Sequence, residues 1–333
     1  MTAPEHPQGS AEDRLIAHYF APLARHPGAL ALSDDAAAFT PPPGHDLIVT
    51  KDAVVAGVHF FASDPADAVA RKALRVNLSD LAAKGAEPAG FLLALGLPEV
   101  DPDWLAGFAR GLGEDAETYR CPLLGGDTVR TTGPLFVSIT AFGTVPHGEM
   151  VRRKGARPGD LVMVTGTIGD AALGLRLRQH KLAGLGLAEA ARAHLARRYL
   201  LPEPRNALAD ALRQLATAAM DLSDGLAGDL AKLCRVSDVS AEIETAQVPL
   251  SAAAEAAVGA DEDLLPTILA GGDDYELLFA LPPERLAEMQ RLAGAAGVAI
   301  TPIGRFIAGG PPPLFRDSTG RPLDLAGAGF SHF

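Results

Sequence analysis

The chain has 333 residues, 48% hydrophobic and 21% charged, with a formal net charge of -12 at pH 7. That length supports two domains with a core each, and the composition is that of a globular chain, not a disordered one. The acidic balance, with no basic block or Lys/Arg stripe, excludes nucleic acid as the main partner, because phosphate backbones are bound by clustered cations.

Residues 1–11 read as a polar, flexible tail without a signal-peptide pattern. Leu15, Ile16, Tyr19, Phe20 and Leu23 recur at helical spacing and predict a helix over 11–25. Asp34-Asp35 and a Pro-rich turn at 41–43 precede a predicted strand, Asp46–Asp52, and Gly57-Val58-His59-Phe60 follows it. A helix is expected over 65–85, then a buried strand Phe91–Leu97, too short to span a bilayer. Asp101-Pro102 caps a helix running to Tyr119. Gly125-Gly126-Asp127 reads as a turn before a strand Leu135–Val145.

The Arg-, Lys-, Gly- and Pro-rich stretch 148–159 marks the expected boundary between an N-terminal domain, 12–148, and a C-terminal domain, 149–333. Beyond it the sequence predicts a strand Asp160–Thr165, a helix after Gly169, two helices within 188–217 and a short strand Met220–Leu222. A helix 225–235, strands 241–244 and 276–281, helices 261–269 and 283–296, and a loop-rich tail complete it. The expected class is α/β (α+β) in two halves. Cys121 and Cys234 stand far apart without a CxxC or Cys/His cluster, which argues against zinc, iron–sulfur and a disulfide framework. With no leader and no spanning segment, a cytoplasmic protein away from membranes is expected.

The chemistry-bearing residues are aspartates beside Gly, Ser or Thr: Asp34, Asp35, Asp52, Asp80, Asp127, Asp221, Asp224, Asp273 and Asp274. Each alone suits a helix cap or turn. As a convergent set they would repel one another, by roughly 1 kcal/mol per pair at 4 Å in water and about 4 near a protein surface, unless cations intervene. Oxygen ligands of this kind suit a hard cation such as Mg²⁺, with phosphate as its second partner. A P-loop, a complete GxGxxG and a GxSxG elbow are all missing from the sequence. His59 lies just past Asp52, in a context that fits a structural or substrate-orienting role as well as a catalytic one.

Taken in order, Asp34-Asp35-Ala36, Thr50-Lys51-Asp52 with Val55–Phe60, and Asn77-Leu78-Ser79-Asp80-Leu81-Ala82-Ala83-Lys84-Gly85-Ala86 form a recognisable series. Gly125-Gly126-Asp127-Thr128, Asp221-Leu222-Ser223-Asp224-Gly225-Leu226 and Gly272-Asp273-Asp274-Tyr275-Glu276-Leu277 complete it. The series resembles the thiamine-monophosphate kinase family, within the aminoimidazole-ribonucleotide-synthetase-like superfamily. The resemblance implies a two-domain fold whose N-terminal sheet forms a barrel-like dimer, with a C-terminal α+β domain contributing to the active-site cleft. It implies ATP as co-substrate, several Mg²⁺ ions and thiamine monophosphate as phosphoryl acceptor.

The family pattern places metal ligands at Asp35, Thr50, Lys51, Asp52, Asp80, Asp127, Asp221 and Asp224. It places ATP at Gly126, Asp127, Arg153 and Ser223, and the acceptor at His59, Asp273 and Phe330, with Asp224 and Arg153 the catalytic pair. Lys51 stands where the family usually has threonine, and Ser33 replaces a usual glycine. An ammonium cannot ligate a cation, so Lys51 would serve through its carbonyl, replace a metal charge or touch phosphate. The expected reaction is direct in-line transfer from ATP to the phosphate of thiamine monophosphate. Aminoimidazole ribonucleotide synthetase is the enzymatic alternative, and a non-catalytic nucleotide-binding regulator on the same fold is the other. Selenophosphate synthetase and the carbamoyl-dehydratase type are disfavoured, lacking an N-terminal reactive Cys and a terminal Cys respectively.

Overall fold

The computed structural model describes residues 10–310, 312–323 and 325. The chain divides into two compact units, one built from residues up to Asn77 plus Pro88–Thr144, the other from Leu78–Glu87 plus Val145 onward. Among the described residues no helix is long and apolar enough to cross a membrane.

The first unit is a four-stranded sheet with helices. Its elements are α1 (Ala11–Leu15), β1 (His45–Val55), α2 (Ala66–Ala83), β2 (Glu87–Leu97), α3 (Pro102–Thr118), β3 (Leu123–Arg130) and β4 (Phe136–Pro146). The strand order is β1-β4-β2-β3, with β2 and β3 parallel. β1 alternates strictly: Asp46, Ile48, Thr50, Asp52 and Val54 are buried or half-buried, while Leu47, Val49, Lys51 and Ala53 are exposed. α3 begins as the sequence predicts, Asp101 accepting the amides of Asp103 and Trp104 through its side chain, with Pro102 at the first helical position. Buried Asp115 clamps α2 to α3, accepting from Arg71 and Arg75.

Two expectations change here. The helix foreseen over 11–25 is α-helical only to Leu15, widens to a π turn over Ile16–Phe20 and tightens to a 3₁₀ turn at Ala21–Leu23, where Pro22 supplies no amide donor. The Gly125-Gly126-Asp127 segment is not a turn but the middle of β3. Gly126 pairs with Leu93, and a Cβ there would collide with the Leu93 carbonyl oxygen, so glycine permits the close approach of β2 and β3.

The second unit carries a seven-stranded mixed sheet in the order β11-β10-β7-β9-β5-β8-β6. The strands are β5 (Leu161–Thr165), β6 (Ala218–Asp221), β7 (Ser240–Glu244), β8 (Leu277–Leu281), β9 (Ile300–Ile307), β10 (Leu314–Arg316) and β11 (Pro322–Leu323). The helices are α4 (Asp170–Arg178), α5 (Glu189–Leu200), α6 (Ala209–Leu215), α7 (Leu226–Ser237), α8 (Ala252–Ala260), α9 (Leu265–Ala270) and α10 (Leu286–Ala295). The central strands β5 and β8 are buried along their whole length, which is why they read as continuous apolar runs. Residues 78–87 belong to this unit because Ala82 and Ala83 sit in the same core cluster as Leu161, Met163 and Phe279. The sequence reading missed α8 and the strands of the tail; β9 carries Pro302 and Gly304, weak strand formers that gain their structure from pairing with β5 and β7.

Candidate functional site

In the first unit a cavity of about 850 Å³ lies on one face of the sheet. Asp34, Asp35, Lys51, Gly126 and Asp127 line it together, with Ser138 and Thr140 of β4. Strand alternation separates the Thr50-Lys51-Asp52 triplet: Lys51 faces the cavity, and the side chains of Thr50 and Asp52 point to the opposite face. Lys51 Nζ donates to Ser138 Oγ at 2.7 Å, and Ser138 Oγ donates to the Asp52 carbonyl at 3.4 Å. The Asp52 amide donates to Asn77 Oδ1 at 3.0 Å, and fully buried Asn77 donates in turn to the Ala73 carbonyl. His59 Nδ1 accepts the Val55 amide at 3.1 Å, leaving Nε2 to carry the proton of the neutral ring, and buried Lys72 donates to the His59 carbonyl.

In the second unit the remaining aspartates sit on two laced loops. The Leu222 amide donates to the Glu276 carbonyl, the Tyr275 amide to the Leu222 carbonyl and the Asp273 amide to the Ser223 carbonyl, all at 2.8–2.9 Å. The pairing of β6 with β8 thereby continues past the ends of both strands. Asp273 and Tyr275 take left-handed backbone conformations, with φ of 74° and 52°, costing roughly 1–2 kcal/mol each. Gly272 is glycine for a steric reason, since a Cβ would strike the Ser223 carbonyl oxygen.

What holds those strained residues is buried on either side of them. Asp274 accepts the amides of Gly169 and Ala171 at the start of α4. Burial pushes its carboxyl up to about 8, against the pull of those amides and of Arg198. Glu276, also fully buried, accepts from Thr165 Oγ1 at 2.7 Å, Arg198 Nη2 at 2.8 Å and Arg205 Nε at 2.7 Å.

Asp80, Asp221 and Arg153 share a neighbour, Lys84, a residue of the first motif that the sequence left without a role. Burial lowers its pKa; Asp221 and Asp80 oppose the shift and Arg153 reinforces it. Lys84 Nζ donates to the Ala219 carbonyl at 2.8 Å. Asp224 is paired with Lys232, which also bonds buried Asp229 at 2.8 Å. Burial works against the Lys232 ammonium, but its hydrogen bonds to the two carboxylates outweigh it and its pKa rises. Lys232 falls three residues after Asp229 on α7, a helical spacing that could have flagged the pair. Phe330 lies outside the described residues. Among the described residues no three His, Cys, Asp or Glu side chains are gathered closely enough to hold a metal ion by themselves.

Residues 33–145 match the family "AIR synthase related protein, N-terminal domain", and residues 157–313 match its C-terminal domain. A thiamine-monophosphate kinase of Caulobacter vibrioides is 47% identical over 299 residues, covering 88% of this chain and 83% of its own. The chain belongs to the thiamine-monophosphate kinase family. A solved thiamine-monophosphate kinase from Stenotrophomonas maltophilia K279a is 39% identical with a TM-score of 0.82, covering 93% of this chain and 96% of its own. A second solved relative, AaThiL complexed with AMPPCP and TMP, is 31% identical with a TM-score of 0.77, covering 90% and 91% respectively. Both halves of the molecule therefore have the thiamine-monophosphate kinase fold, with the aspartate motifs on β1, β3, the end of α2 and the loops after β6 and before β8.

Proposed function

We propose that this chain transfers the γ-phosphoryl group of ATP to thiamine monophosphate, giving thiamine diphosphate and ADP. The observation that carries the proposal is the likeness over nearly the whole chain to thiamine-monophosphate kinases, one of them solved with an ATP analogue and TMP bound. The acceptor phosphate, with a second pKa of about 6, is mostly a dianion at neutral pH and needs no general base. What hinders the reaction is the approach of two polyanions, so charge neutralisation and alignment carry the catalysis.

The chemistry of the donors fits Mg²⁺: they are carboxylate, hydroxyl and carbonyl oxygens, with no thiolate and no imidazole among them. A closed cage of protein ligands is not needed, because Mg²⁺ keeps waters and completes its shell with substrate phosphates. Asp35 and Asp127 in the cavity of the first unit, the Lys51 carbonyl, Thr50 and Asp52 on the opposite face of β1, and Asp80, Asp221 and Asp224 of the second unit, are the proposed ligands. Bound Mg²⁺ would neutralise phosphate charge and orient the transferring group.

Gly126, Asp127, Arg153 and Ser223 are the proposed ATP contacts, with the Arg153 guanidinium stabilising the transferring phosphoryl and Asp224 the other catalytic group. His59, Asp273 and Phe330 are the proposed acceptor contacts. Transfer is in line, with no covalent enzyme intermediate. The enzyme works as a cytoplasmic homodimer, with the β1 edge of the first unit's sheet as the contact surface; Val49 is exposed there. Incubation with Mg²⁺-ATP and thiamine monophosphate should yield thiamine diphosphate and ADP in equal amounts. ADP formed only with formylglycinamidine ribonucleotide, or ATP bound without turnover, would overturn the proposal.

A further inference from the structure

The cavity of the first unit holds three acidic groups and one basic group, Asp34, Asp35, Asp127 and Lys51. A lysine among carboxylates normally pairs with one of them. Here the ammonium makes a hydrogen bond with Ser138 Oγ and no ion pair with any described carboxylate. Ser138 is buried and its hydroxyl hydrogen is directed at the Asp52 carbonyl, so a lone pair of Oγ is turned toward Lys51. The ammonium is thus anchored at one position, with two further N–H donors available on the cavity side of β1. Fixed cationic donors of this kind suit an anion with several oxygens, and the ordering of the lysine stem is partly met before a ligand arrives.

We propose that Lys51 is a resident cation of this cavity, its ammonium binding phosphate oxygens and supplying there one of the positive charges that a divalent ion would otherwise bring. The inference rests on the proposed reading that the cavity receives a nucleotide polyphosphate. It concerns the Lys51 side chain, whereas the metal assignment above concerns only its carbonyl. A carboxylate-lined cavity repels a polyphosphate, and each fixed positive charge reduces the number of ions needed to bring it in. The chain therefore needs less free Mg²⁺ to bind a nucleotide than it would with a neutral side chain at position 51.

The test is the affinity for AMPPCP, read by isothermal titration calorimetry over a series from excess EDTA to saturating Mg²⁺. Lys51→Met keeps the stem and removes the charge; Lys51→Arg keeps the charge. At sub-saturating Mg²⁺, Lys51→Met should bind AMPPCP about fivefold to tenfold more weakly than the wild type. The gap should narrow as Mg²⁺ saturates, and the half-saturating Mg²⁺ concentration should rise. Lys51→Arg should stay within about twofold of wild type. Thermal unfolding of both variants at the wild-type temperature would show that the exposed position carries no fold. Coincident Mg²⁺ series for wild type and Lys51→Met would overturn the inference while leaving the kinase proposal standing. Tight, Lys51-dependent AMPPCP binding by a protein that makes no thiamine diphosphate would sink the kinase proposal alone.

Discussion

Asp80 and Asp127 test the charge argument at single residues, because Asp127 is exposed and Asp80 half-buried, so neither belongs to the apolar core. Replacing either with Asn should lower turnover by at least about 100-fold, the scale of losing one group that acts on the transferring charge, while circular dichroism and the unfolding midpoint stay put. Wild-type turnover in both variants would remove them from the reaction. Asp274 is a different kind of aspartate, buried at the start of α4 with its carboxyl pushed up to about 8. The folded state holds that proton more tightly than the unfolded chain, whose carboxyl titrates near 4. The stabilisation is therefore complete below pH 4 and is lost as pH rises through about 8. Urea midpoints of the wild type should fall between pH 6 and pH 9.5, and those of Asp274→Asn should fall less. Parallel profiles would show that Asp274 does not titrate in this window.

Between residue and domain, the deciding contact is the lacing of the Asp221–Gly225 loop to the Gly272–Glu276 loop, with Glu276 beneath it. Glu276→Gln removes the charge that compensates two guanidinium groups, Arg198 and Arg205, so it should destabilise the fold by about 3–5 kcal/mol, read as a lower urea midpoint. A change within about 0.5 kcal/mol would mean that Glu203, which also contacts both arginines, suffices. This network also marks where sequence reasoning ran out. Asp101-Pro102, the run Phe91–Leu97 and the aspartate motifs were legible because caps, apolar runs and Gly/Ser-flanked carboxylates are local signals. That Gly126 lies within a strand was not legible, because its meaning depends on the Leu93 carbonyl of a paired strand. Nor was the splitting of Lys51 from Thr50 and Asp52: adjacent residues read as one ligand set until strand pairing fixes which face each takes. Arg198 and Arg205 gave no signal at all, since their partner Glu276 is more than seventy residues away in the chain.

For the molecule as a whole, the first unit's sheet frames the argument for assembly. In the order β1-β4-β2-β3, β1 is an edge strand of 11 residues. It presents Leu47 and Val49, 41% and 56% exposed, on the same side as Lys51. A long edge with apolar side chains invites pairing with another chain unless something covers it, and a second copy would bury both the edge and the exposed side chains. Val49 does not line the cavity, so a charge placed there tests association without touching the groups proposed to hold phosphate. Sedimentation should give twice the chain mass for the wild type at micromolar concentration, and a single chain mass for Val49→Glu. Because a dimer is stabilised by mass action, the wild-type unfolding temperature should rise with protein concentration, and that of Val49→Glu should not. A wild type that sediments as a single chain at every concentration would leave β1 as a tolerated open edge and end the homodimer proposal.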